Sequence, residues 1–293
     1  MRARRVATLF AAPVLALLAL TAVSAGQPVR SAQVVPAAAS IPQFDHVVIV
    51  MFENKNYTDI KGSSKASYLN SLASQGTLLG KSYGVTHPSQ PNYVGLFSGT
   101  TAGVHKDDCL SGQIDRDNIG NQLVKAGKTF KGYSEGLPKA GSTTCKSGRY
   151  ARKHAPWAFF KSTSGAATNV PYSAFPSDYS TLPTVSFVIP DMCNDMHDCS
   201  VSTGDSWLKK NLDGYAQWAK THNSLLIATF DEDNFTSVNQ IYTAMVGAHV
   251  KAGYKSETQA NHYTVLRTLE DMYGLPPLAG AANKQPITDI WTA

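Results

Sequence analysis

The chain has 293 residues, a formal charge of +5 from 26 Lys and Arg against 21 Asp and Glu, and 43% hydrophobic side chains. That apolar content supports a buried core and excludes a wholly disordered chain. Basic residues are scattered, with Lys209-Lys210 one of few adjacent pairs, so charge makes no case for nucleic acid as a partner.

Arg2, Arg4 and Arg5 precede an apolar run from Val6 to Ala22, and Val23-Ser24-Ala25 places small residues where a signal peptidase reads. Residues 1–25 are therefore expected to be a signal peptide. Without its three positive charges the remainder carries +2. Residues 26–41, rich in Ala, Val, Pro, Gln and Ser, read as a disordered linker. Residues 42–293 then form one catalytic domain of a secreted protein. No later run reaches the length of a membrane span, so stable membrane insertion is not expected.

Phe44–Phe52 is almost entirely apolar and β-branched, the pattern of a strand covered on both faces in a parallel sheet. Thr184–Ile189 and Ser224–Phe230 read the same way, with Tyr242–Val250 and Thr129–Tyr133 as further strands. Helix patterns fall between them at Lys65–Ser74, Asn92–Phe97, Ile119–Ala126, Asp205–Thr221 and His262–Met272. The alternation predicts an α/β fold, a three-layer α/β/α sandwich with a mainly parallel sheet. In such sheets ligands gather beyond the carboxyl ends of the strands.

Polar residues concentrate at those ends. Glu53-Asn54 follow the first strand and Asp231-Glu232 follow Phe230, two oxygen-rich pairs suited to a divalent metal ion. Asp191, Asn194, Asp195, His197 and Asp198 follow Ile189. Asp191, His197 and His262 offer N/O ligands for a second metal. His197 and His154 offer instead direct phosphate contacts or a proton for a leaving group, and both would gain charge at acid pH. Capping and packing roles account for each of these residues taken singly.

The segment Gly80–Val85 leads into His87-Pro88-Ser89-Gln90-Pro91-Asn92. The prolines fix φ on both sides of Ser89 and present it at a strand-to-helix turn, near the positive end of a helix. Ser89 is thus the candidate nucleophile and Asn92, one turn on, a candidate for holding a phosphoryl oxygen. Cys109, Cys145, Cys193 and Cys199 are an even set in an exported chain, which makes disulfides the default. Of three pairings, Cys109–Cys145 with Cys193–Cys199 is favoured because the latter two are close in sequence. A metal site of Cys193, His197 and Cys199 is the rival reading.

Six stretches together resemble the secreted bacterial phosphoesterases, acid phosphatases and phospholipases C of the alkaline-phosphatase superfamily. They are HVVIVMFENKNY (His46–Tyr57), THPSQPNYVGLFSG (Thr86–Gly99), RKHAPWAFF (Arg152–Phe160), NDMHDCSVSTGDSWLK (Asn194–Lys209), FDED (Phe230–Asp233) and NHYTVLRTLEDMYGL (Asn261–Leu275). The resemblance implies Glu53, Asn54, Asp231 and Glu232 as metal ligands and Ser89 as a nucleophile passing through a phosphoseryl intermediate. It also places His154 and His197 around the phosphate. The expected activity is a metal-dependent acid phosphatase acting on a small phosphorylated substrate or a phospholipid head group. A phosphodiesterase of phospholipase C type is the alternative. A sulfatase is disfavoured because Tyr93, not Arg, follows Ser89-Gln90-Pro91-Asn92. A serine esterase is disfavoured because the Gly-x-Ser-x-Gly elbow is absent.

Overall fold

Eight strands of the computed structural model, which describes residues 41–292, form one twisted sheet. In chain order they are β1 (His46–Phe52), β2 (Thr77–Leu79), β3 (Phe130–Ser134), β4 (Asn169–Pro171), β5 (Val185–Ile189), β6 (Ser224–Phe230), β7 (Thr243–Gly247) and β8 (Tyr254–Ser256). Their spatial order is β8-β2-β7-β6-β1-β5-β3-β4. β1 lies at the centre, parallel to β6 on one side and to β5 on the other. Only β7 runs antiparallel, between β6 and β2. The expected signal peptide and linker lie outside the described residues, except Ile41, which packs against the core rather than standing free of it.

The side-chain period of β1 builds both cores. Val47, Ile49 and Met51 face one side and Val48, Val50 and Phe52 the other. Helices α1 (Ser67–Gln75), α2 (Ser89–Ser98), α3 (Ile119–Lys125), α4 (Val201–Ala219) and α5 (His262–Met272) cover the two faces. Val94 and Phe97 of α2, Leu123 of α3 and Leu266 of α5 join the first core. Leu69 and Leu72 of α1 with Leu208 and Leu212 of α4 join the second. Every residue of β1 after His46 is buried, which explains its continuous apolar run. Asp205 of α4 ties the second layer together by accepting the Tyr68 and Leu69 amides of α1, at 2.9 and 2.8 Å.

The main differences from expectation concern short strands. β2, β4 and β8 have three residues each, too few to show a period. The segment before Ser89 contributes only Ser82–Tyr83, which pairs with Gln240–Ile241 and Ala260–Asn261 in a separate small sheet. Ser89 therefore does not follow a strand of the main sheet. Both favoured disulfides, Cys109–Cys145 and Cys193–Cys199, are formed. With both sulfurs committed to a disulfide, the Cys193–His197–Cys199 metal reading is excluded.

One buried acid in α5 carries a testable cost. Glu270 is fully buried. Oε1 accepts the Leu278 amide at 2.8 Å, and Oε2 has no partner. Burial raises its carboxyl to about 7, against the lowering effects of the Leu278 amide and Arg267. The folded state holds this proton more tightly than the unfolded chain does, so stability falls as pH rises from about 4.5 through 7. At pH 8 the loss is about 2 kcal/mol after allowing for solvent near the site. Glu270→Gln is expected to raise Tm by about 5 °C at pH 8 and by little at pH 4.5. Equal shifts at both pH values in calorimetry would show that ionisation of Glu270 is not the cause.

Candidate active site

The carboxyl ends of β1, β5 and β6 meet the N-terminus of α2. Glu53 and Asn54 follow β1, Asp231 and Glu232 follow β6, and Asp195 follows β5. The backbone joins them: the Glu53 amide donates to the Asp195 carbonyl at 2.8 Å, and the Asp231 amide to the Phe52 carbonyl at 3.0 Å. Ser89 is the first residue of α2, with Pro88 as its N-cap. Its hydroxyl donates to Glu53 Oε2 at 2.8 Å, with Glu232 Oε1 at 3.1 Å as a second acceptor. The serine is 2% exposed, so the nucleophile candidate sits beneath the surface and not on it.

Asn54 lies in the left-handed region, φ 50°, unusual for a residue other than glycine and typical of functional sites. Its amide hydrogen donates to Asp231 Oδ1 at 3.1 Å. Its side-chain oxygen is turned toward the carboxylates and Ser89 Oγ. The reversed amide would donate to Glu232 Oε1 at 3.1 Å and to Ser89 Oγ and Glu53 Oε2 at 3.3 Å. Asp231 Oδ2 is buried with no hydrogen-bond partner.

Glu53, Asp231 and Glu232 are all fully buried. Burial, then the Asp231 charge, raises Glu53 to about 8; burial, then Glu53, raises Glu232 to about 8. Asp231 is raised well above its ordinary value by burial and by Glu232. Like charges about 4 Å apart repel by about 4 kcal/mol at an effective dielectric of about 20, so three such acids do not all ionise without a counter-charge. Among the described residues, no three His, Cys, Asp or Glu side chains stand as a finished metal cage. The candidate ligand set is instead these carboxylates with the Asn54 and Ser89 oxygens.

Three further neighbours complete the site: Tyr93, which had no role in the sequence reading, Asp195, one of the polar residues after Ile189, and His87, weighed there as an aid to Ser89 or a plain loop histidine. Tyr93, one turn beyond Ser89 on α2, donates to Glu53 Oε1 at 2.5 Å. Asp195 is buried, its carboxyl raised to about 8 by desolvation despite the His197 amide it accepts. His87 places Nδ1 2.5 Å from Glu232 Oε2. Tyr93 reads from sequence as a core aromatic, and nothing in its spacing marks the hydroxyl.

Two of the expected phosphate contacts, Asn92 and His154, are both buried against the carboxylates of the site. Asn92 is fully buried: its Oδ1 accepts the Val85 and Thr86 amides at 2.8 and 3.1 Å, and its Nδ2 donates to the Thr86 and Pro88 carbonyls at 2.8 and 3.1 Å. It fastens the turn that carries Ser89. His154 lies between Asp195 Oδ2, 3.1 Å from Nδ1, and Glu53 Oε1, 3.0 Å from Nε2, the latter in a geometry that makes no hydrogen bond. Burial lowers His154 to about 4, with Glu53 opposing, which overturns the expectation that it gains charge at mildly acid pH. His197 stays partly open, with Nδ1 2.7 Å from Asp198 and Nε2 3.5 Å from Lys153 Nζ.

The second metal site is not assembled. Asp191 Oδ1 accepts the Cys193 and Asn194 amides, both at 2.9 Å, and His262 Nε2 lies 2.5 Å from the Asp231 carbonyl oxygen. Asp233 accepts from the Thr236 amide at 2.8 Å and shapes its own loop.

Residues 62–276 match the family model described as the Phosphoesterase family. The chain is 50% identical over 261 residues to a phosphatidylinositol-3-phosphatase of Mycobacterium tuberculosis, covering 88% of this chain and 87% of that one. It is 31% identical to a phosphate-repressible acid phosphatase of Penicillium chrysogenum, over 80% of this chain and 60% of that one, so it spans about three-fifths of the fungal protein. Its fold is similar to that of an alkaline-phosphatase-superfamily protein from Vibrio parahaemolyticus, with TM-score 0.59 and 14% identity over 86% of this chain and 74% of that one. The chain belongs to the Phosphoesterase family and is a phosphoric ester hydrolase built on the alkaline-phosphatase fold.

Proposed function

We propose that this is an exported, divalent-cation-dependent phosphomonoesterase that works through a phosphoserine at position 89. The observation that carries the reading is Ser89 Oγ lying 2.8 and 3.1 Å from two buried carboxylates, Glu53 and Glu232. A divalent cation among Glu53, Asn54, Asp231 and Glu232 supplies positive charge against the phosphoryl oxygens and eases loss of the serine proton. The unpartnered, buried Asp231 Oδ2 is an oxygen that such an ion would satisfy.

Glu53 and Glu232 orient the serine lone pair and take its proton as Oγ attacks phosphorus. The start of α2 turns the positive end of its dipole toward the charge that develops there. Tyr93 holds Glu53 in place from its other oxygen, with the His154 ring packed against the same atom. Asn92 keeps the turn rigid and also reaches Glu232 Oε2 with Nδ2 at 3.4 Å, beside the place where a phosphoryl oxygen would lie. His197, on the open side, donates a proton to the leaving oxygen, and Lys153 beside it adds positive charge toward the phosphate. Burial opposes the charge on Lys153, but the hydrogen bond to Asp107 and the charges of Glu53, Asp107 and Asp231 together outweigh it and raise its pKa. Water then hydrolyses the phosphoserine, dividing one hard displacement into two easier ones.

Similarity to a phosphatidylinositol-3-phosphatase supports a monoester on a polyol head group as substrate. Export is supported by the N-terminal charge and apolar pattern and by two disulfides, which persist in oxidising compartments. Among the described residues, no helix is long and apolar enough to cross a membrane. Acid quench during turnover, followed by peptide mapping, is expected to recover phosphate on the peptide containing Ser89. Recovery on a histidine, or no phosphopeptide under conditions that trap a control phosphoserine enzyme, would overturn the covalent mechanism.

A further inference from the structure

Lys55 directly follows the Glu53-Asn54 pair, and its half-buried side chain spans two segments of the site. Nζ donates to the Met196 carbonyl at 2.8 Å and to the Asn54 carbonyl at 3.3 Å. The two acceptors share an uncommon backbone. Asn54 has φ 50° and Met196 φ 78°, both in the left-handed region. Met196 is fully buried, and a side chain of that size keeps such a conformation only where its surroundings hold it there.

Each acceptor lies within a stretch that carries site residues. Met196 stands between Asp195 and His197, inside the loop closed by Cys193–Cys199. That loop fits closely against its neighbours. The Glu53 amide donates to the Asp195 carbonyl at 2.8 Å, and the His197 amide to Asp195 Oδ1 at 2.8 Å. A Cβ at Gly204 of α4 would stand 2.5 Å from Met196 Cγ and 2.7 Å from the Asn194 carbonyl oxygen, so glycine makes room for the loop there. The Glu53–Asp195 hydrogen bond joins the carboxylate turn to this loop at one point, which leaves a pivot. The Lys55 ammonium adds a second point, and two points fix an orientation. Lys55 also lies in the field of Glu53, Asp195 and Asp231. Were charge its only task, an ammonium paired with one of those carboxylates would serve better than one directed at two carbonyls.

We infer that Lys55 is a positioning residue for the reaction, a clasp that sets the His197 loop against the Glu53-Asn54 turn and so aligns the leaving-group proton donor with Ser89. This rests on the phosphomonoesterase reading and gives that reading a residue it did not include. Lys55 touches neither the substrate nor the reacting atoms.

The test uses Lys55→Met and two esters that differ in their need for a proton. Glycerol 2-phosphate releases an alkoxide that must be protonated, whereas p-nitrophenolate leaves without help. Lys55→Met is expected to lower kcat for glycerol 2-phosphate about 100-fold, with KM changed less than about twofold, and kcat for p-nitrophenyl phosphate only about fivefold. Lys55→Arg, a donor of similar reach, should restore most of the loss. Lys55→Gln, whose amide stops one atom short of Nζ, is the second variant should Lys55→Met fail to fold, and the same split between the esters is expected. Hydrogen exchange reads the clasp without turnover: the His197 amide should exchange about tenfold faster in Lys55→Met while the amides of β6 stay protected. Equal losses with both esters, wild-type turnover of glycerol 2-phosphate, or unchanged exchange at His197 would each overturn the inference. A wild type that hydrolyses neither ester, yet whose His197 amide is loosened by Lys55→Met, would support the clasp and overturn the phosphomonoesterase reading.

Discussion

Ser89→Ala is expected to lower kcat for p-nitrophenyl phosphate by at least about 10⁴-fold, because loss of a nucleophile removes the covalent route altogether. Stability should change far less. The hydroxyl makes hydrogen bonds to Glu53 and Glu232, and their loss costs about 1 kcal/mol, or about 3 °C in Tm. The two outcomes must be read together. A folded Ser89→Ala protein that retains a tenth of its activity removes Ser89 from the mechanism. Ser89→Thr supplies the control: it keeps a hydroxyl at the start of α2, and partial recovery is expected where alanine gives none.

The second large effect comes from the buried acids. Chelation is expected to abolish turnover, and an added divalent cation to restore it. Asp231→Asn should reduce metal content and activity together, the latter by at least about 10³-fold. Its effect on the metal-free protein has the opposite sign. Asp231 Oδ2 is buried without a partner, and its carboxyl is raised by burial and by Glu232. A group with a raised folded-state pKa loses stability as pH climbs above its ordinary value of 3.8. A neutral amide escapes that loss, so metal-free Asp231→Asn should melt several degrees above the metal-free wild type at pH 8. Inductively coupled plasma analysis with paired melting curves checks both halves. Full metal stoichiometry in the variant, or a lower Tm at pH 8, would show that the oxygen cluster is not a cation site.

What was legible in the sequence follows from how each residue is used. β1, β5 and β6 are buried on both faces, so their apolar runs appear without help from any neighbour. α5 was read to its observed ends, His262–Met272, and in the structure Asn261 caps it, its side chain accepting the Thr264 amide. β2, β4 and β8 exist through pairing alone and leave no local trace. In the site, the acids stood out because two acid-bearing pairs, Glu53-Asn54 and Asp231-Glu232, follow buried strands and converge on one sheet edge. Tyr93 did not, because its role depends on a contact with Glu53 across tens of residues, and nothing local revealed that Asp195 would meet His154. The charge state of His154 was misread for the same reason. Its Arg152-Lys153-His154 context looks solvated, and only the fold shows it enclosed between Glu53 and Asp195.

The Cys109–Cys145 bridge divides the work of the molecule in a way that bears on its history. The carboxylates and Ser89 are anchored to central strands and α2, where almost any exchange disturbs a core. The segment leading to Lys153 is a hairpin with loops fastened by that one covalent link and by Arg152. Lineages descending from a common ancestor can therefore remodel this segment, lengthening it or altering its charge, while inheriting the reaction intact. Diversification within the group should accordingly be concentrated between residues 105 and 150, and selection for a new ester should leave its first marks there.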